Sequence, residues 1–271
     1  MARSLLRAAT AGVLAFLYTP ILIIALYAFN AERIQVWPIR EFSTEWFGSA
    51  WGNPSVRAAL GLSVQVGLLS SLLAIILGSL AAFAVHRFRF FGREVFSLAL
   101  VLPIALPGIV TGLALNASAR TAGISFSTFT IVLGHATFCI VVVYNNVVAR
   151  LRRSSGSIIE ASMDLGASAW QTFRLVTLPN IATALVAGGL LAFALSFDEV
   201  IVTVFTAGSQ ETLPLFIFNN IKLPRNRPIV NVVAVLVMVL SLVPVYLAQR
   251  LSRETRGSVA ARTSPPSMSA P

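Results

Sequence analysis

S-I-I-E-A-S-M-D-L-G-A-S-A-W-Q-T-F-R-L-V-T-L-P-N, residues 157–180, is the one long stretch between two apolar segments that is itself helix-forming, partly polar and flanked by arginines. Ser157 with Glu160, and Ser168 with Gln171, are back-to-back capping boxes, each able to satisfy the orphan N–H groups of a helix start. Gly166 between them can take the left-handed conformation that closes the first helix. Pro179 lacks an N–H and restricts the residue before it, so it predicts the end of the second helix. The local reading is helix, sharp turn, helix, stop.

Working outward, composition names the solvent. Apolar residues make up 56% of the 271-residue chain and charged residues only 11%, against about 25% charged in a soluble domain. Most of the surface therefore faces lipid. The net charge of +10 does not argue for nucleic acid, because the arginines sit in short loops between apolar runs rather than clustering on one face of a soluble body. Cys139 is the sole cysteine, which excludes a disulfide framework. His135 lies four residues before it, but two ligands fall short of a metal site, and a packed pair inside the membrane is the better reading.

Six apolar runs are long enough to cross a hydrocarbon core that needs about 20 helical residues: residues 5–29, 58–85, 95–115, 127–149, 181–206 and 229–247. The first is too long for the apolar centre of a cleaved signal peptide and reads as an uncleaved span. The segment 30–57 holds Trp37, Trp46 and Trp51, three of the four tryptophans, and suits the membrane surface or a partner's docking surface. Ala74, Gly78 and Ala82 on the second span, and Ala184, Gly188, Ala192 and Ser196 on the fifth, form small-residue stripes for close packing, within the chain or across a pair. Pro103 and Pro107 predict an interior, kinked third span, since lipid cannot receive the carbonyls they free. The transmembrane domain thus covers 1–250, with a loop at 150–180 and a tail at 251–271 expected to be disordered.

Thirteen of the twenty basic residues fall on the side of the N-terminus and seven on the other. The positive-inside rule then places both termini and the 157–180 stretch in the cytoplasm. The only lysine is Lys222, in I-K-L, so no Walker A motif exists and the chain cannot hydrolyse ATP through a P-loop of its own. No Ser/His/Asp or H-E-x-x-H arrangement supports a membrane hydrolase. Asp198 and Glu199 are the only acids inside a predicted span, about 26 Å along the fifth at 1.5 Å per residue. Such acids face a cavity, a partner or a pathway. An acid facing such a pathway, and an acid that caps or pairs with Lys222 or Arg225, both fit the residues.

Glu160-Ala161-Ser162, then Gly166-Ala167, then Phe173, Val176, Leu178 and Pro179 resemble the E-A-A…G-A…F…V…L-P signature of permease subunits of bacterial type I ABC importers. The motif stands between the fourth and fifth of six spans, where that family carries it. Ser162 departs from the usual alanine but is also small. Leu195 to Pro214 is similar to the spermidine/putrescine branch, with parts shared by iron and other small-solute permeases.

The resemblance implies an all-α membrane protein of six transmembrane helices with the type I permease fold, resident in the bacterial inner membrane. It implies a cytoplasmic coupling helix in which Glu160, Ala161, Gly166, Ala167, Trp170, Phe173, Leu178 and Pro179 meet an ATPase. Trp170, Phe173 and Val176 stand three apart, giving one apolar face for a helix-in-groove contact, or for packing on the chain's own helices. The implied partners are two ATPase subunits that bind ATP and Mg, a second permease subunit and an extracytoplasmic solute-binding protein, with no nucleic acid and no cofactor in this chain. The implied cargo is a polyamine, with ferric iron as the alternative. The competing class is an ATP-independent secondary transporter or channel, whose inverted repeats are not evident here.

Overall fold

The computed structural model describes residues 2–154 and 156–262. Among them the only β-pairing is an isolated bridge between Asn30 and Phe42. The helices are α1 (Ala2–Ala28), α2 (Glu45–Gly52), α3 (Pro54–Arg87), α4 (Arg93–Ala105), α5 (Gly108–Thr121), α6 (Thr128–Arg153), α7 (Gly156–Asp164), α8 (Ala169–Thr172), α9 (Leu178–Phe197), α10 (Ile201–Thr206), α11 (Leu213–Asn220) and α12 (Arg227–Arg262). A π-helical turn, Phe173–Thr177, joins α8 to α9. Five segments are each long and apolar enough to cross a bilayer: Arg3–Ala28, Pro54–Arg87, Thr128–Arg153, Ala169–Phe197 and Pro224–Leu247. A sixth crossing requires α4 and α5 together, and these meet at 105°.

That angle corrects the expectation of one kinked helix over 95–115. Pro103 is carried inside α4, whereas Pro107 becomes the residue before α5, so the helix breaks at 106–107. Without an N–H, Pro107 cannot continue the ladder onto the Pro103 carbonyl. Its own carbonyl then accepts from Val110 and Thr111 at 2.9 and 3.3 Å to start α5.

The expected fifth span, 181–206, also breaks. α9 ends at Phe197 and α10 starts at Ile201, which leaves Asp198 and Glu199 in the gap rather than on a helix face. The tail expectation changes too: α12 passes Pro244 and runs through Arg262, so residues 251–262 continue the helix. The stretch after Arg250 has no proline before Pro265, so no residue in it forbids propagation of the helix. The remainder of the tail, 263–271, lies outside the described residues.

The chain divides into two compact units, residues 1–63 with 211–240, and residues 64–210 with 241–271. In the first, the Trp46 indole N–H donates to the Asn30 carbonyl at 2.9 Å and Phe29 packs on Phe47 at 5.0 Å. Trp46 is therefore a core residue, whereas Trp37 and Trp51 stay 73% and 62% exposed, as a surface-lying segment requires. Leu213, Pro214, Leu215 and Phe216 of α11 are buried, and the Leu213 N–H donates to Ser63 Oγ at 2.8 Å.

The second unit is organised around α6, which packs against α9, α10 and α4. Being largely enclosed by protein, α6 can carry the buried His135 and Cys139 in a membrane helix. Both small-residue stripes press on it from within this chain. A Cβ on Gly78 would lie 2.9 Å from the Ile140 carbonyl oxygen, and one on Gly188 would lie 3.3 Å from Val143 Cα. Backbone this close leaves no room for a side chain. Gly78→Val should lower the stability of the purified protein by about 1–3 kcal/mol, readable as a drop in melting temperature in detergent. An unchanged melting temperature means that α3 does not sit this close to α6.

Candidate functional site

The 157–180 stretch folds as two helices about a tight turn. Gly166 has φ +83°. Its N–H donates to the Met163 carbonyl at 2.9 Å and the Ala167 N–H to the Ser162 carbonyl at 3.1 Å, the paired bonds of a Schellman cap. Beyond the turn, Ser168 accepts the Gln171 N–H and the Gln171 side chain accepts the Ser168 N–H at 2.8 Å, the second expected capping box. The first is not formed: α7 already begins at Gly156, so Ser157 and Glu160 lie inside the helix and Glu160 is exposed.

Pro179 does not stop the second helix either. The π turn places the Leu178 N–H on the Phe173 carbonyl, five residues back. This wider ring takes the proline at the second position of α9 without ending the helix. Leu178, at the first position, is exposed, as is Ala161, while Ala167 is half-buried.

Two aromatic residues on this segment divide their roles. Phe173 packs edge-on against Phe83 of α3 at 5.5 Å. Trp170 stacks on Phe173 at 5.7 Å with its other side 67% exposed, and Leu165 at the turn is 90% exposed. Ser162 Oγ lies 3.1 Å from the buried Thr172 hydroxyl, so the departure from alanine supplies a tie between α7 and α8. The outward surface is apolar at Trp170 and Leu165 and carries the Glu160 carboxylate.

A polar clasp closes the base of this loop. Arg150 at the end of α6 donates from Nε to the Asn180 carbonyl at 2.8 Å and from a terminal nitrogen to Asn180 Oδ1 at 3.0 Å; Asn180 Nδ2 donates to Ser154 Oγ. The guanidinium fork spans backbone and side chain of one residue, a geometry that a lysine cannot reproduce. Arg150→Ala should destabilise the protein by about 1–3 kcal/mol, with Arg150→Lys recovering little of it in thermal denaturation. Full recovery by lysine means that charge alone, not the fork, matters.

Around the gap between α9 and α10, the structure separates the two acids. The Asp198 side chain is exposed. Glu199 turns inward: Oε1 accepts the Val202 N–H at 2.9 Å and so caps α10, and the residue lines a cleft of about 180 Å³ with Pro103, Gly108, Thr111, Phe138 and Leu195. The capping alternative read from the sequence is thus realised at Glu199.

Beside this gap His135, 1% exposed, holds Ser196 Oγ on Nδ1 and Thr203 Oγ1 on Nε2, each at 2.8 Å. Thr203 Oγ1 donates to the Glu199 carbonyl at 2.7 Å. It therefore accepts from Nε2–H, which leaves Nδ1 to accept the Ser196 hydroxyl. Cys139 donates to the Ala192 carbonyl at 3.3 Å, so both buried members of the expected pair on α6 are also tied to the α9–α10 segment. Neither Thr111 nor the bridging role of His135 was read from the sequence. A histidine in an apolar run was the available signal for the second.

Residues 74–257 match the family described as binding-protein-dependent transport system inner membrane component. The chain is 34% identical over 252 residues to the putrescine transport system permease protein PotI of Escherichia coli (strain K12), covering 88% of this chain and 89% of that one. It is 37% identical over 244 residues to the spermidine/putrescine transport system permease protein PotC of Haemophilus influenzae, covering 89% and 94%. In fold it is similar to a chain of a bacterial ABC transporter involved in the import of the acidic polysaccharide alginate, with TM-score 0.71 at 15% identity over 93% of this chain and 95% of that one. It also resembles a chain of the MetNI methionine ABC transporter, with TM-score 0.61 at 16% identity over 74% and 95%. All-helical, membrane-spanning and matched over most of its length, the chain belongs to the binding-protein-dependent inner membrane components and is a permease subunit of an ABC importer.

Proposed function

We propose that this permease forms half of the translocation pathway for a polyamine, putrescine or spermidine, in an ATP-driven importer. The observation that carries the cargo is the 34–37% identity, over most of the chain, to permeases named for those two amines. The partners in this reading are a second, related permease subunit, two ATPase subunits holding ATP and Mg, and an extracytoplasmic binding protein; the chain itself is non-catalytic. Both termini and the 157–180 loop lie in the cytoplasm, as the basic-residue asymmetry supports.

The loop is the coupling element. Glu160, Ala161, Gly166, Ala167, Trp170, Phe173, Leu178 and Pro179 form or support the surface that meets the ATPase. The exposed Trp170 enters the partner's groove, and Phe173 anchors it from behind on Phe83. Of the two acids at the α9–α10 gap, Glu199 is the one that meets the passing cation, since it and not Asp198 lines the cleft.

Uptake of radiolabelled putrescine, spermidine and ferric iron by proteoliposomes holding the complete transporter tests the reading. ATP-dependent uptake of the amines is the expected result. Uptake of iron alone sinks the polyamine cargo, and uptake driven by an ion gradient without ATP moves the chain to the secondary-transporter class.

A further inference from the structure

Between α3 and α4 the chain reads H-R-F-R-F-F-G-R-E, residues 86–94, with arginine and phenylalanine interleaved across a short link from Arg87 to Arg93. The side chains of Arg87, Arg89 and Arg93 make no hydrogen bond or ion pair among the described residues. One acid, Glu94, stands beside these three arginines. Gly92, at φ +80°, turns the link into α4, and Phe90 folds back edge-on onto Phe96 at 6.0 Å. Phe88 and Phe91 have no such cover: Phe91 is fully exposed and Phe88 largely so.

The link lies at the same end of the helices as the 157–180 stretch. Phe83, four residues before Arg87, is the ring on which Phe173 rests, and His86 lines a small cavity with Ser154, Val176 and Asn180. The link also runs straight into an apolar surface. Val95, two residues beyond Arg93 and so about 3 Å along the helix, begins an exposed row with Leu98 and Leu102. The opposite face of α4 packs on α6, where the Ser97 and Tyr144 hydroxyls pair at 2.7 Å.

Exposed apolar rings bordered by uncommitted charge mark an interaction surface, and three features choose its occupant. Guanidinium forks pair with phosphate oxygens, so the occupant is anionic. A free phosphate ion meets the arginines but gains nothing from Phe88 and Phe91. A soluble protein domain covers the two rings but cannot follow the row of Val95, Leu98 and Leu102 into the hydrocarbon. A phospholipid satisfies all three, with its phosphate on the arginines, its glycerol region against the rings and an acyl chain along the row.

We propose that residues 87–93 and the exposed face of α4 form a binding site for an anionic phospholipid of the leaflet on the side of the 157–180 stretch. The positive-inside rule asks only that such arginines stay on one side of the membrane. The site adds a bound lipid, a requirement for headgroup charge and the residues that hold it, and it is independent of the cargo.

The test uses the complete transporter, ATPase subunits included, in nanodiscs of phosphatidylcholine mixed with phosphatidylglycerol. A spin label on Phe91→Cys reports what covers that position; Cys139 is buried and stays unlabelled, and the partner subunits are made cysteine-free. The label is expected to collide with dissolved oxygen far more than with a water-soluble nickel chelate, as a side chain in lipid does. Ready collision with nickel puts the link in water and overturns the site. A label shielded from both reagents means that a protein subunit covers the link, and overturns it as well. In a second measurement phosphatidylglycerol is titrated into the delipidated complex and bound copies are read by native mass spectrometry. Arg87→Gln, Arg89→Gln and Arg93→Gln combined should weaken the tightest-bound copy at least about tenfold, since each arginine at an anionic surface is worth about fivefold. Phosphatidylcholine binding and the melting temperature should stay near wild type. Equal phosphatidylglycerol binding by wild type and the triple variant overturns the site even where the label reports lipid.

Discussion

Gly166→Leu is expected to abolish transport while leaving ATP hydrolysis by the assembled complex measurable. The reason lies in the backbone rather than in crowding. A Cβ at position 166 meets nothing within 4 Å, but φ is +83°, where a residue with a Cβ costs about 1–2 kcal/mol and a bulky one is strained further. The turn relieves that strain by opening the Schellman pair, and the Met163 and Ser162 carbonyls lose their donors. α7 then no longer returns onto α8, and the Ser162–Thr172 contact is lost with it. Gly166→Asn supplies the graded control, because asparagine visits the left-handed region more readily; it should retain a substantial part of the uptake. Parallel uptake and ATPase assays on the two variants decide. Normal transport by Gly166→Leu removes the coupling role from this turn.

His135→Ala is expected to be the most damaging substitution inside the membrane, at about 3–5 kcal/mol. Truncating a buried ring leaves a cavity costing about 2–5 kcal/mol, and the orphaned Ser196 hydroxyl adds about 1–3 kcal/mol. These overlap rather than sum. The distinguishing measurement is a double-mutant cycle with Ser196→Ala, in which the contact requires a coupling of about 0.5–3 kcal/mol. Strictly additive losses in chemical denaturation mean that the bond does not hold α9. A transport defect greater than the stability loss explains is also expected, since Thr203 links the same ring to the Glu199 backbone.

Much of this was legible because its physics is local. Apolar runs of bilayer length read as spans, Gly166 as a left-handed turn, and Ser168 with Gln171 as a cap, and each depends on residues within a few positions of one another. What escaped depends on distant partners or on competition between side chain and backbone. The run L-S-F-D-E-V-I-V contains neither glycine nor proline, so nothing in it announces a break. The break comes from the Glu199 carboxylate taking the Val202 N–H while His135 ties down both flanks, a contact spanning more than sixty residues. Pro179 was a fair stop signal until a π turn accommodated it, and Ser157 was a fair cap until Gly156 had already joined the helix. Trp46 looked like its two exposed neighbours in the sequence; only the Asn30 carbonyl, sixteen residues back, takes it inside.

The π turn has a mechanical consequence. Because it lets α8 run into α9, the 29 residues from Ala169 to Phe197 make a single shaft with a contour of about 43 Å at 1.5 Å per residue. Trp170 sits at one end, and the gap flanked by Ser196, Asp198 and Glu199 at the other. A tilt of about 10° about the first end sweeps the second through about 7 Å, wider than a methylene chain. A rigid shaft thus turns a small change of tilt into a displacement of that size at the gap, and the π turn, the irregular ring within it, is where that rigidity can be altered by mutation.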